Sequence, residues 1–166
     1  MSINMEGLAA AEAASIMAVE EGQFSDVKSI AVSPAQLTKV ISAFANSDGG
    51  EVYIGITESG FNKTRGWEGF KDQEAANGHL QIFEKLFPLG TDFQYEFLRS
   101  DQASGLVLHV QVNKTAAIMR ASNDLPYVRR GAQSIPVDTP EAIKRLEYAK
   151  GLSSFEDETT NARLSC

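Results

Sequence analysis

The chain has 166 residues, 43% hydrophobic and 22% charged, with a net charge of −7, the composition of one soluble domain able to bury its own core. Its one cysteine, Cys166, excludes an internal disulfide framework, and no apolar run approaches the ~20 residues of a membrane span. The N-terminal stretch carries glutamates instead of a basic start, which excludes a secretory signal, so a cytoplasmic setting is expected.

The negative charge is unevenly spread. Residues 1–22 hold Glu6, Glu12, Glu20 and Glu21 without a basic residue, and residues 153–166 hold Glu156, Asp157 and Glu158 against Arg163. The intervening body is close to neutral, so its lysines and arginines can still form a local patch for a polyanion.

In chain order, residues 1–22 are read as an N-terminal, alanine-rich helix over 6–20 on propensity, ending near Gly22. Residues 23–30 alternate as a strand, with Phe24, Asp26, Lys28 and Ile30 on one face. Ser33 caps the next helix, Pro34 opens it, and Leu37, Val40, Ile41, Phe44 and Ala45 form its apolar stripe. Asn46 to Gly50 forms a turn that needs a positive φ. Val52 to Ile56 reads as a central strand apolar on both faces, and Gly55 within it suggests close approach by another backbone or a ligand.

Residues 59–78 read as a long glycine-punctuated connection, and His79 to Leu89 as a short amphipathic helix. Phe93–Leu98 and Leu106–Val112 form a hairpin, followed by an extended pair around Ala117–Arg120 and Tyr127–Arg130. Thr139-Pro140-Glu141 starts a last helix, which Gly151 ends. The expected fold is α+β: one compact domain over 23–152 with a mixed, mainly antiparallel sheet flanked by helices. An acidic tail over 153–166 is expected to be disordered.

The polar groups of the first strand suggest chemistry. Asp26 and Lys28, two apart, share a face; Glu21 stands at the strand entrance and Glu58 follows the central strand. Hard carboxylate ligands of this kind suit magnesium or manganese for phosphodiester chemistry. The competing reading is a solvated strand edge with a weak ion pair, and Glu58 as an ordinary turn residue. His109 reads as a satisfied sheet residue and His79 as a helix-start residue; neither is spaced with cysteines for zinc. No phosphate-cradling P-loop motif occurs, which argues against nucleotide binding.

The segments EGQFSDVK, VISAFANSDGGEVYIGITESG and YVRRGAQSIP together resemble the Schlafen core domain and its bacterial, Alba-like relatives. The resemblance runs over roughly residues 20–137. It implies a metal-dependent endoribonuclease acting on structured RNA such as tRNA, with Glu21, Asp26 and Glu58 holding magnesium or manganese and Lys28 assisting at the scissile phosphate. Lys39, Arg120, Arg129 and Arg130 would then contact the nucleic-acid backbone. Asp26 and Glu58 depart from the pattern, which has glutamate at the first position and aspartate at the second. Only one lobe is present, so a homodimer or a partner of related fold is expected. The alternative class is a noncatalytic nucleic-acid-binding or protein-interaction module with a regulatory or defence role.

Overall fold

The computed structural model describes residues 3–60 and 64–152. They run β1 (Asn4–Leu8), α1 (Ala10–Met17), β2 (Ser25–Lys28), α2 (Pro34–Ala45), β3 (Gly50–Ile54), β4 (Ile56–Ser59) and β5 (Thr64–Trp67). A 3-10 turn (Glu74–Ala76) leads into α3 (Asn77–Leu86), β6 (Phe93–Ser100), β7 (Leu106–Val112), β8 (Tyr127–Arg130), β9 (Gln133–Pro136) and α4 (Pro140–Ala149).

One sheet has the order β1-β6-β7-β3-β2, with β1 parallel to β6, β2 parallel to β3, and the central pairs antiparallel. Strand alternation divides its side chains. Val52, Ile54, Phe97 and Leu108 face α2 and α3, where Leu37, Ile41, Phe44 and Phe83 complete the main core. Val27, Tyr53, Leu98 and Val107 point the other way, toward Ile16 and Met17 of α1 and toward Trp67. Both faces are therefore covered in the middle of the sheet, as the apolar Val52–Ile54 run requires.

The anticipated caps form. Ser33 Oγ accepts from Gln36 N at 3.2 Å and Thr139 Oγ1 from Ala142 N at 3.1 Å, each with proline following. The far end of α2 is capped from outside: Lys150 Nζ donates to Ala45 O at 3.0 Å and to Thr115 O at 2.6 Å. Burial pushes that ammonium down to about 8.

Three elements differ from expectation. The helix expected over 6–20 begins only at Ala10, because Asn4–Leu8 pairs with β6 as an edge strand. That pairing comes from a partner 92 positions away in register, and no local alternation marks it. The strand expected to continue through Ile56 breaks at Gly55, whose φ of +125° turns the chain into the separate β4–β5 hairpin. A Cβ on Gly55 would lie 2.9 Å from Gly69 Cα, so the anticipated close backbone approach is real. Finally, Arg120 meets only Pro126 in an isolated bridge, while Tyr127–Arg130 pairs with Gln133–Pro136. The tail over 153–166 lies outside the described residues.

Candidate nucleic-acid interface

The site begins with the way α2 holds β8. Ser42, Asn46 and Ser47, at and just past the helix end, present side-chain groups to a strand that has β9 as its one strand neighbour among the described residues. Ser42 Oγ accepts from Tyr127 N at 3.0 Å and Ser47 Oγ from Arg129 N at 2.8 Å. Asn46 Nδ2 donates to Tyr127 O at 2.9 Å and to Met119 O at 2.7 Å, while its Oδ1 accepts from Met119 N at 2.8 Å. Gln23 Nε2 reaches Arg129 O at 3.1 Å. These side chains satisfy the β8 backbone where strand pairing would otherwise be needed.

This docking points Arg129 inward. Its Nε donates to Gly22 O at 2.9 Å, Nη2 to Ser25 O at 3.3 Å, and Nη1 to Ser134 Oγ at 3.1 Å and Asp26 Oδ2 at 3.3 Å. The guanidinium also lies 4.7 Å from the Phe44 ring centroid. With its side chain 1% exposed, Arg129 joins β8 to β2, and four of its five N–H donors are engaged within the protein. Of the two arginines expected to contact a nucleic-acid backbone, Arg129 is thus buried and Arg130 is exposed.

Asp26 is the other half of this buried pair. Its Oδ1 accepts from Val27 N at 2.8 Å and lies 3.3 Å from Lys28 Nζ. Lys28 also reaches Glu21 at 4.0 Å. Burial, and then the charge of Asp26, push the Glu21 carboxyl up, while Lys28 pulls it down. Glu21, Asp26 and Lys28 therefore meet, as the sequence suggests.

Glu58 does not join them by any contact. The turn at Gly55 carries it onto β4, opposite Arg65, and it pairs with Arg65 Nε at 3.5 Å while 47% exposed. Arg65 in turn donates to Met17 O at 3.1 Å and also to Val19 O, closing the end of α1. Among the described residues, no group of three or more His, Cys, Asp or Glu side chains is placed to hold a metal ion. Asp26 is committed to Arg129 and Lys28, and Glu58 to Arg65. In this arrangement the expected donor set does not fit magnesium or manganese.

Between β2, α2 and the β8–β9 hairpin opens a groove of about 290 Å³. Lys28, Lys39, Gln36 and Ser134 line it, and Asp26 is the one acid among its lining residues. Lys39 Nζ sits 5.9 Å from the Tyr127 ring centroid. Arg120 is exposed and donates to Asp124 O at 2.9 Å, outside that lining.

A second polar cluster lies on the opposite sheet face. His109 bridges Glu96 at 2.8 Å and Glu51 at 3.0 Å, and stacks on Tyr53 with centroids 4.3 Å apart. Cross-strand register places these residues together: His109 faces Tyr53 on β3 and Glu96 on β6. His109 is thus the satisfied sheet residue expected. Its two carboxylate partners, which follow from register, are absent from the sequence reading.

Desolvation works against the charged imidazole, but the hydrogen bonds and charges of Glu51 and Glu96 outweigh it, and the pKa of His109 rises. The hydrogen bond from His109 is the main cause holding Glu51 below its ordinary value. A raised histidine pKa contributes stability that is full below the unfolded value and fades as pH climbs through the folded one. For Glu51 the contribution is present above its unfolded value and fades as pH falls through the folded one. Thermal melts from pH 5 to 9 should therefore show stability declining as His109 loses its proton, and His109→Gln should remove that component.

The chain matches the model of the family described as Schlafen, AlbA_2 over residues 21–138, and it belongs to that family. A protein of Corynebacterium diphtheriae has a similar fold, with 20% identity and a TM-score of 0.52 over 82% of this chain. This chain covers 31% of that protein's length. The N-terminal domain of a Nitrosomonas europaea protein, described as related to the ATP-dependent DNA helicase RecG, has 16% identity and a TM-score of 0.49. That match covers 61% of this chain and 70% of the domain. No curated protein matches. Among the described residues no helix is long and apolar enough to cross a membrane.

Proposed function

We propose that this chain is a nucleic-acid-binding module that grips the phosphate backbone along the groove between β2, α2 and the β8–β9 hairpin. Membership of the Schlafen, AlbA_2 family suggests a nucleic-acid-related role. The observation that carries the proposal is the pairing of Lys28 and Lys39 in one groove whose acid, Asp26, is already neutralised by Arg129. Glu21 and Asp26 offset two of the three cations Lys28, Lys39 and Arg129, which leaves a positive excess centred on Lys39, and Arg130 extends it outside the groove. A cytoplasmic setting and a second copy completing a two-lobed cleft belong to the same proposal.

Salt dependence tests it. Binding of a labelled tRNA should weaken steeply with salt, and Lys39→Ala should reduce the slope of log K against log salt by about 1. A wild-type slope near zero would overturn the proposal.

One observation favours the narrower reading, a magnesium- or manganese-dependent endoribonuclease acting on structured RNA such as tRNA. Burial, and then the charge of Asp26, raise the pKa of Glu21; Lys28 offsets this only in part, and a divalent cation would offset it further. This reading needs a third donor, because Glu58 is turned toward Arg65. Incubation with total tRNA and either metal, beside a Glu21→Gln control, decides it: equal cleavage by both proteins would remove the reading.

A further inference from the structure

The sheet face turned away from the main core is only partly covered. Ile16, Met17 and Trp67 pack against Tyr53, Leu98 and Val107. Further along the strands, register sets Glu51, Gln111 and Gln94 side by side across β3, β7 and β6. Strand alternation keeps all three on that same face. Together with Phe24, just before β2, they line an open depression of about 490 Å³.

Two of these groups suit a ligand. Phe24 is 58% exposed, a flat aromatic surface free for stacking. Glu51 is fixed at both oxygens: Tyr53 donates to Oε1 at 3.2 Å, and His109 Nε2 lies 3.0 Å from Oε2. The imidazole keeps this carboxyl ionised, and each oxygen retains a second lone pair with which to accept. Glu51 is also the one charged group among the lining residues, so nothing in the depression attracts a phosphate.

The complementary occupant is planar, carries two neighbouring N–H donors for Glu51, and offers acceptors to the carboxamides of Gln94 and Gln111. Among the RNA bases guanine alone sets two donors side by side on its pairing edge, the ring N1–H and the exocyclic amine, with O6 beside them as acceptor. Adenine and cytosine place a ring acceptor there, and uracil flanks its N–H with two carbonyl oxygens. A carboxylate repels both arrangements. An arginine guanidinium has paired donors but no acceptor for the carboxamides.

We propose that this depression is a guanine-binding subsite, in which an unpaired guanine stacks on Phe24 and sets its pairing edge against Glu51, with Gln94 and Gln111 donating to its acceptors. The proposal deepens the nucleic-acid reading and rests on it for the source of the base. Phe24 directly precedes β2 and Lys28 ends it, a span of about 13 Å along an edge strand. A single strand crossing that edge can therefore touch both sites. The lysines then supply attraction to the backbone, and this subsite selects the base.

Nucleosides test the subsite without engaging the phosphate-binding lysines. In amide NMR titrations of the full chain, guanosine should shift the signals of Gly50, Gln94 and Gln111. It should bind about tenfold more tightly than inosine, which lacks the exocyclic amine and so loses one hydrogen bond to a charged group. Adenosine should bind more weakly still. Glu51→Gln should abolish the preference for guanosine over inosine, and Phe24→Ala, at an exposed position, should weaken all three by about tenfold. The wild-type ranking needs no variant, so it stands whatever Glu51→Gln does to the fold. Equal affinities for the three nucleosides, or shifts confined to other residues, would overturn the proposal. Shifts at Gly50, Gln94 and Gln111 from arginine methyl ester but not from guanosine would also overturn it, giving the site to a basic peptide. Salt-dependent tRNA binding without a guanosine response removes this subsite alone. A guanosine response without salt-dependent tRNA binding supports the subsite and removes the lysine groove instead.

Discussion

Asp26→Ala should destabilise the fold by about 3–5 kcal/mol, the usual cost of stranding one member of a buried ion pair. Arg129 would keep its carbonyl and hydroxyl acceptors but lose the charge that compensates its burial. For a chain of this size that corresponds to a fall in melting temperature on the order of 10 °C, measurable by calorimetry. The pair also sets how activity data are to be read. Loss of RNA binding or cleavage in Asp26→Ala would follow from misplacing β8 as readily as from removing a ligand. A double replacement, Asp26→Leu with Arg129→Met, removes both charges together and should recover much of the lost stability. A melting temperature unchanged in Asp26→Ala would show that the pair adds nothing to the fold.

Asn46→Ala should cost about 2–4 kcal/mol. The carboxamide satisfies Met119 N, Met119 O and Tyr127 O together, and Asn46 is 4% exposed. Met119 O keeps the hydroxyl of Ser42 at 2.9 Å, but Met119 N and Tyr127 O lose this partner, each worth about 1–3 kcal/mol when left unsatisfied, with water entering to recover part. Ser42 and Ser47 would still hold the two β8 amides, so a loosened strand is expected, not a lost one. Urea denaturation gives the stability change. Hydrogen exchange at Met119, whose amide donates to Asn46, should accelerate selectively; unchanged exchange there would show that the clamp is dispensable.

Much of this architecture is legible in local sequence. Ser33-Pro34 and the five-residue apolar stripe after them define α2 because cap, first-turn proline and helical period agree. The β6–β7 hairpin is equally plain, since two alternating runs flank a short polar turn. Local pattern is silent where a distant partner decides. Asn4–Leu8 becomes a strand only because β6 offers its edge. Arg129 and Arg130 look alike in sequence, and which one turns inward depends on Ser42, Asn46 and Ser47 fixing β8.

The expected acidic site shows the same limit. Glu21, Asp26 and Lys28 lie on one short segment, and their meeting follows from strand geometry. The position of Glu58 depends on whether Gly55 continues the strand or turns it, and its φ of +125° selects the turn. The Glu51–His109–Glu96 bridge depends on register across three strands, which no single segment contains.

The paired arginines of β8 have a consequence for fidelity of assembly. Displacing that strand by one position in the direction that brings Val128 into place would swing Arg129 into solvent and leave the buried carboxylate of Asp26 to Lys28 alone. Such a slip forfeits the guanidinium's bonds to Gly22, Ser25, Asp26 and Ser134 in a single step. Arg129 thus biases a strand more than a hundred residues downstream toward the alignment that closes over β2.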